Sequence, residues 1–326
     1  MPNAQSLISI PLCTYNGVAF LRQQMDSLLQ QTHVHFEIVA VDDCSDDTTV
    51  QLLHDYARRD ARIRVVVQPE NLGFRRNFEY ALQLCVGDYI APCDQDDIWV
   101  PEKLAVLLRN IGSRALIYCD SVLVDAEGNS LGIRMSDKWP MRNLSSPLNF
   151  VMTNCVSGHA MLFRRELLQQ ALPIPAVFFH DWWLAALAAT AEGVAYWPEV
   201  LVRYRQHHNN VTDVLKQRDA RRMSHGAGID RLRATRERLD ALASLPGTHQ
   251  RYLQRLLVLW DRRFQQWVSI ELPLHMFRQA GELFCLTRRT ALQRALAPMK
   301  YLLGLRLKRW LEPSKYGESM PVHRPK

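Results

Sequence analysis

Four short polar clusters stand in a fixed order along the 326 residues: Asp42-Asp43-Cys44-Ser45-Asp46-Asp47, Asn71-Leu72-Gly73-Phe74-Arg75-Arg76-Asn77, Asp94-Gln95-Asp96-Asp97 and His180-Asp181-Trp182-Trp183. The first and third each follow a short apolar run that reads as a buried strand. Carboxylates at the carboxyl ends of parallel strands face the mouth of an α/β sheet, where such folds bind ligands. Carboxylates this dense repel one another unless cations or hydrogen-bond donors compensate them. A nucleotide diphosphate accompanied by a divalent metal would supply those partners.

The elements that must position these clusters are legible as periodicity. Residues 7–12 are a short apolar run, after which Cys13-Thr14-Tyr15-Asn16-Gly17 turns the chain. Phe20, Leu21, Met25, Leu28 and Leu29 share one helical face over 18–31. Residues 36–41 read as an uninterrupted strand ending in Asp42-Asp43. Ser45 is placed to cap the next helix, with Asp46 and Asp47 in its first turn, where carboxylates suit the dipole. Residues 63–67 form a third strand, 75–85 a helix and 89–91 a fourth strand running into Asp94, and Pro101 opens the helix that follows. Strands alternating with helices in this way predict a parallel, doubly wound sheet. Beyond it, 116–118 and 122–124 read as strands with Glu127-Gly128-Asn129 as the turn after them. Residues 133–147 read as a loop, 159–163 as a strand, 182–191 as a helix, and 195–204 as an extended piece broken by Pro198.

The formal net charge of +7 is unevenly spread. Residues 1–213 hold 17 basic and 24 acidic side chains, a net of −7; residues 214–326 hold 23 and 9, a net of +14. That step predicts a domain boundary near 213, with an α/β domain before it and a basic, helical region after it. Leu253, Leu256, Leu257, Trp260, Phe264 and Trp267 fall at helical spacing, with Arg255, Arg262 and Arg263 elsewhere on the wheel. Leu292, Leu296, Met299, Leu302, Leu303 and Trp310 repeat the theme over 291–311. Basic amphipathic helices with aromatic flanks suit a membrane interface. The plainer reading is a helical appendage packed on the first domain with a solvated basic face, and the two are compatible. No apolar run reaches 18 residues, so no spanning helix is expected. The first residues lack a basic segment followed by an apolar one, so no signal peptide is expected. Seven cysteines without a CxxC pair read as reduced, mostly buried cytosolic thiols rather than a disulfide framework or a zinc site.

Thr14-Tyr15-Asn16 after a strand, Asp42-Asp43-x-Ser45-Asp46-Asp47-Thr48, Asn71-x-Gly73, Asp94-x-Asp96-Asp97 and His180-Asp181, in that order, resemble the family 2 glycosyltransferases of the A-type fold. The resemblance covers about residues 6–210. Tyr118-Cys119-Asp120-Ser121 and Tyr204-Arg205-Gln206-His207 look like the bacterial rhamnosyltransferase-like branch. The resemblance implies an α/β fold: a single nucleotide-binding, mostly parallel doubly wound sheet as the catalytic domain, 1–213, with an α-helical C-terminal extension, 214–326. It implies inverting, metal-dependent transfer of a sugar from a nucleotide diphosphate to a hydroxyl of a cell-surface glycan or lipid-linked acceptor, at the inner face of a bacterial cytoplasmic membrane. The branch implies a dTDP- or UDP-linked donor carrying L-rhamnose or another 6-deoxysugar.

Residue by residue, the resemblance places Asp94 near the ribose and Asp96 on the metal, with Asp97 as a helper. Oxygen ligands suit Mg²⁺ or Mn²⁺. Tyr15 is expected to stack on the base, Asp43 to bond the pyrimidine, and Cys13 and Thr14 to offer adjacent backbone. Arg75 and Asn77 are expected on the nucleotide side, with the choice between Arg75 and Arg76 open. Asp181 occupies the place of the base that inversion requires. Many relatives have Glu-Asp there, and His180 replaces the Glu. Trp182 and Trp183 could wall the acceptor sugar, with at least one of them plain core. His207, with His208 as a rival, is expected to close over the diphosphate and touch the metal. Asp120 and His159 are expected near the donor or acceptor sugar. Each carboxylate also has a plainer reading, since Asp-rich turns often cap helices.

Three other function classes fit less well. A non-catalytic nucleotide-sugar or glycan-binding subunit would not need both Asp94-x-Asp96 and Asp181. A nucleotidyltransferase would want a Gly-rich, Arg-containing loop after the first strand, and residues 13–17 are not one. Nucleic-acid binding is disfavoured because the aromatics of the basic third lie on the apolar helical face rather than between the arginines.

Overall fold

The computed structural model describes residues 5–208, 210, 214 and 227–316. The chain divides into two units, one of Met1–Ser145 with Cys155–Val211 and one of Ser146–Asn154 with Thr212–Lys326.

In the first unit β1 (Ile8–Thr14) is buried along its whole length and pairs in parallel with β2 (Phe36–Asp42), which pairs in parallel with β3 (Ile63–Val67). Strands covered on both faces read as continuous apolar runs, which is why these were legible. The helices between them are α1 (Val18–Leu29), α2 (Thr49–Ala57) and α3 (Phe74–Gln83). β4 (Tyr89–Ile90) lies parallel to β1 on its other side. β5 (Ile98–Trp99) and α4 (Lys103–Asn110) follow.

The remaining strands are β6 (Leu116–Val124), β7 (Ser130–Arg134), β8 (Met161–Arg164) and β9 (Val194–Arg205); α5 (Met135–Lys138), α6 (Leu168–Ala171) and α7 (His180–Thr190) lie among them. The sheet order is β3-β2-β1-β4-β8-β6-β9-β5, with β7 on β6. β8 is antiparallel to both neighbours, while β6 and β9 are parallel.

Three expectations change. Residues 116–124 form one strand and not two, because Asp120 and Ser121 are buried with bonded side chains rather than forming a turn. Residues 133–147 are not all loop: they include the end of β7 and α5. Ser45 does not cap a helix, since α2 begins at Thr49 and the Ser45 hydroxyl bonds Asp42 instead. Pro198 breaks β9 as expected: Cys119 faces Trp197 but Asp120 faces Val200, so Pro198 and Glu199 bulge out where proline lacks a ladder donor.

The second unit is helical: α8 (Ala227–Ser244), α9 (Gln250–Gln265), α10 (Glu271–Phe277), α11 (Ala280–Leu283), α12 (Ala291–Leu296), α13 (Leu305–Leu311) and α14 (Pro313–Tyr316). Leu253, Leu256, Leu259 and Trp260 of α9 are buried. Arg263, expected on a solvated face, is 1% exposed and donates to the carbonyls of Tyr301 and Leu303. The helical pattern over 291–311 is interrupted, with a 3-10 turn at Ala297–Tyr301 containing Pro298. Among the described residues no helix is long and apolar enough to cross a membrane. The seven cysteines are free, and all but Cys44 are buried.

Candidate functional site

The carboxyl ends of β1 and β2 lie side by side, with Thr14 opposite Asp42. Thr14 Oγ1 donates to Asp42 Oδ2 at 2.7 Å, and the Asp43 N–H donates to the Thr14 carbonyl at 2.8 Å. Asp43 faces the next loop instead, accepting the Leu72 and Gly73 N–H groups at 2.8 and 2.9 Å. Gly73 has φ 80°, a conformation that favours glycine, so the loop can present both donors to one carboxylate. Cys13 is buried beneath this join, and Tyr15 stands 48% exposed above it. Gln95 reaches across to clamp Tyr15: its Oε1 accepts the Tyr15 N–H at 2.9 Å and its Nε2 donates to the Tyr15 carbonyl at 3.1 Å.

Cys93 bridges Leu12 of β1, so Asp94 emerges beside the β1 end. Asp96 Oδ2 lies 2.8 Å from His207 Nε2, and the His207 ring packs on Phe20. His208 is exposed. Asp97 turns inward and is fully buried; its Oδ1 accepts the Arg205 N–H at 3.0 Å, and its Oδ2 has no hydrogen-bond partner among the described residues. His159 Nδ1 is 3.5 Å from Asp97 Oδ2 and 3.9 Å from Asp94 Oδ2. The ligand atoms of Asp94, Asp97 and His159 all fall within 4.8 Å of one another. His159 Nε2 contacts Ser121 Oγ at 3.1 Å.

Asp181 sits in the first turn of α7, where its Oδ1 accepts the Trp182 N–H at 2.6 Å. Burial pushes its carboxyl up to about 7, although backbone donors from Trp182, Asp181 and Gly158 oppose the shift. Asp94 is also pushed up to about 7, first by burial and then by the charges of Asp96 and Asp181. The prospective base and the acidic cluster therefore share one field. His180 stacks on Phe78 at 4.1 Å, and burial lowers its pKa to about 4, so the imidazole is neutral at pH 7. Trp182 is half-buried beside Phe178.

Two expected ligands are bonded inside the protein, and Trp183 is the plain core that the sequence allowed for one of the two tryptophans. Asn77 is 1% exposed; its Nδ2 donates to the Val41 carbonyl at 2.9 Å and its Oδ1 accepts from Gln68. It braces the end of β2 and does not face the nucleotide side. Asp120 accepts the Ser136 N–H and hydroxyl at 3.1 and 2.6 Å, fixing α5 rather than facing a sugar. Trp183 is core, its Nε1 donating to the Ala171 carbonyl at 2.9 Å. Arg75 donates to the Ala176 carbonyl and lies 4.7 Å over the Phe179 ring, which ties it to the segment leading into α7.

Two positioning residues escaped the sequence reading. Lys103 is fully buried, its Nζ 2.6 Å from the His159 carbonyl and 2.9 Å from the Trp99 ring centre. Burial lowers it to about 7, against the pull of Asp97 and Asp94. Burial and this Lys103 charge together push His159 down to about 3. Arg205, also fully buried, donates from Nε to the Asp96 carbonyl at 2.7 Å and from Nη2 to Gln23. A signal for Lys103 existed: it lies in helical register with Leu107 and Ile111, on the apolar stripe of α4.

The description "Glycosyl transferase family 2" matches residues 9–172, just over half of the chain. The chain belongs to the family 2 glycosyltransferases. An uncharacterized glycosyltransferase of Haemophilus influenzae is 26% identical over 221 residues, covering 64% of this chain and 68% of that protein. TuaG of Bacillus subtilis, a putative teichuronic acid biosynthesis glycosyltransferase, is 36% identical over 118 residues, 36% of this chain and 47% of TuaG. This chain therefore matches about half of TuaG's length. Among solved structures, S. aureus TarS 1-349 in complex with UDP-GlcNAc aligns with TM-score 0.57 and 17% identity over 98% of this chain and 95% of that one. The mannosyltransferase PcManGT of Pyrobaculum calidifontis, in complex with GDP-Man and Mn²⁺, aligns with TM-score 0.53 and 17% identity over 96% and 84%. At these identities the likeness speaks for the A-type fold.

Proposed function

We propose that this chain transfers a sugar with inversion from a nucleotide diphosphate donor to an acceptor hydroxyl, with Asp181 as base. The observation that carries the reading is Asp181 set in the first turn of α7, its charge acting on Asp94 at the β1 end, and its raised pKa supports the role. A carboxylate of that basicity takes a hydroxyl proton more readily than an ordinary one near neutral pH. The acceptor oxygen bonds to the anomeric carbon, the bond from that carbon to the diphosphate breaks, Asp181 takes the proton, and the nucleoside diphosphate leaves with the electron pair. In this reading Tyr15 and Asp43 would hold the base and Asp94 the ribose. The nucleotide-sugar complexes of TarS and PcManGT support a donor of this class.

The donor atoms present fit a divalent ion such as Mg²⁺ or Mn²⁺. Asp96 and His207, 2.8 Å apart, would hold it. The alternative trio of Asp94, Asp97 and His159 is disfavoured, because the buried Lys103, bonded to the His159 carbonyl, already acts on Asp94 and Asp97 with positive charge. A bound ion would neutralise charge developing on the leaving diphosphate. The branch motifs favour a dTDP- or UDP-linked 6-deoxysugar and a cell-surface or lipid-linked glycan acceptor. The basic helical unit favours work at the inner face of a membrane.

The test is a panel of nucleotide sugars with Mn²⁺ or Mg²⁺, read as release of nucleoside diphosphate alongside calorimetric donor binding. Slow turnover of one donor, abolished by chelator, is expected. Donor binding without turnover, even when candidate acceptors are added, would assign the chain to a non-catalytic binding role.

A further inference from the structure

Outside the sheet unit, positive charge gathers in the turn around α12. Arg289, Gln293, Leu296, Ala297 and Lys300 line a surface cavity of about 450 Å³. Its walls are fixed locally. Thr290 and Gln293 cap each other, the Thr290 hydroxyl accepting the Gln293 N–H at 3.2 Å and Gln293 Oε1 accepting the Thr290 N–H at 3.1 Å. Arg294 donates to the Arg289 carbonyl at 3.0 Å, and the Lys300 ammonium lies 4.8 Å from the Tyr301 ring centre and 5.3 Å from that of Phe284. Burial lowers the Lys300 pKa to about 8, and the charges that add to the shift, Arg289, Lys308 and Arg263, are all positive. Like charges held together raise the energy of the folded state, and an anion relieves it.

Leu296 of the same lining is 52% exposed, and Leu292 and Met299, close to it in sequence, are 69% and 51% exposed. The backbone bridge between Val268 and Leu303 adds Val268 and Trp267, both also exposed, to the same unit's surface. An acidic peptide would answer the cations and leave the leucines wet. A bilayer presents phosphate and hydrocarbon at adjacent depths, matching both.

We propose that this face docks on an anionic bilayer, with Arg289 and Lys300 taking a lipid headgroup phosphate while Leu292, Leu296 and Met299 enter the acyl boundary. The inference deepens the peripheral-membrane part of the function proposed above and rests on it; it does not depend on the transfer chemistry.

Flotation of the full chain with phosphatidylcholine vesicles, with and without phosphatidylglycerol, tests it. The wild type is expected to float only with the anionic vesicles. The Arg289→Ala, Lys300→Ala double variant is expected to lose about tenfold or more in partitioning, at about a kilocalorie per cation near the surface. Leu292→Ser with Leu296→Ser is expected to lose binding as well, while all variants melt at the wild-type temperature. A charge-matched control, Arg233→Ala with Arg251→Ala, removes two exposed cations elsewhere in the unit and is expected to float nearly as well as wild type. An equal loss in that control would overturn the site and leave diffuse charge attraction, so the peripheral reading would stand. A wild type that ignores anionic vesicles would overturn both. If it instead self-associates on a sizing column, the face belongs to a second copy.

Discussion

The sheet unit and the helical unit treat charge in opposite ways. In the sheet unit Asp42, Asp43, Asp97, Lys103 and Arg205 are buried, and named donors and acceptors reach across the chain to meet them. In the helical unit Arg289 and Lys300 gather with other cations, and exposed leucines stand beside them. Burying ionisable groups is costly unless they are matched, so the first arrangement serves to hold dipoles in place before a reaction. The second, confined to the surface around α12, gathers like charge, although elsewhere in the same unit Arg236, Arg255 and Arg262 pair with acids. Function in the first unit should therefore be brittle to single changes of charge, and function in the second should be graded.

The largest break in that comparison is expected at Asp181. Asp181→Asn should lower turnover by about 10² to 10⁴ while calorimetry still finds the donor bound. Equal loss of both would remove Asp181 as base. The wild type adds a pH signature. With the carboxyl at about 7, the charged base becomes scarce below that pH, so turnover should fall tenfold per unit under about 7 and level off above it. The limb should vanish in Asp181→Asn. The same shift has a stability sign: the folded pKa lies above the unfolded one, so the native state holds more protons between about 4 and 7. This group's contribution to stability declines as pH rises through that window.

Lys103→Met comes next. It leaves the His159 carbonyl without its donor and removes a charge that favours ionised Asp97, and unsatisfied buried groups cost about 1–3 kcal/mol. Urea unfolding should show that loss, and Asp97→Asn in the same chain should restore part of it. Arg233→Ala in the helical unit should change stability by less than about 0.5 kcal/mol. If Lys103→Met is equally silent, the buried charges of the sheet unit are not matched as the geometry indicates.

How much of this was readable from sequence follows from the same contrast. The strands leading to Thr14 and Asp42 announced themselves because full burial gives an unbroken apolar run. The Asp94–Asp97 and His180-Asp181 clusters stood out by composition alone. What stayed hidden were the partners, because spacing carries no information about contacts across the sheet: Lys103 meets His159 56 residues on, and Arg205 meets Asp97 108 residues back. The split of β6 into two expected strands has the same origin. Asp120 and Ser121 looked like a polar interruption, yet they are buried against Ser136 and His159. Asn77 misled in the other direction, since a polar residue in a loop-to-helix cluster reads as a ligand until its amide is seen bracing Val41.

The smallest effect expected is a pair of identical substitutions with opposite signs. A Cβ built on Gly158 would meet His180 Nε2 at 2.5 Å, and His180 is pinned against Phe78. Gly158→Ala should therefore destabilise by about 1 kcal/mol through overpacking. Any shift of the 158 backbone that the clash forces should also lower turnover more than donor affinity, because the Gly158 N–H acts on Asp181. Shrinking the neighbour with His180→Ala should relieve the clash and recover part of both losses. In the helical unit a Cβ at Gly281 of α11 meets nothing within 4 Å. There Gly281→Ala should stabilise by about 0.5 kcal/mol, since alanine loses less backbone freedom in a helix. Melting curves of the two variants, read against His180→Ala with Gly158→Ala, separate a site held by contact from one held only by chain propensity. A loss at Gly158 that His180→Ala does not relieve would place the strain in the 158–160 backbone instead of in the ring beneath it.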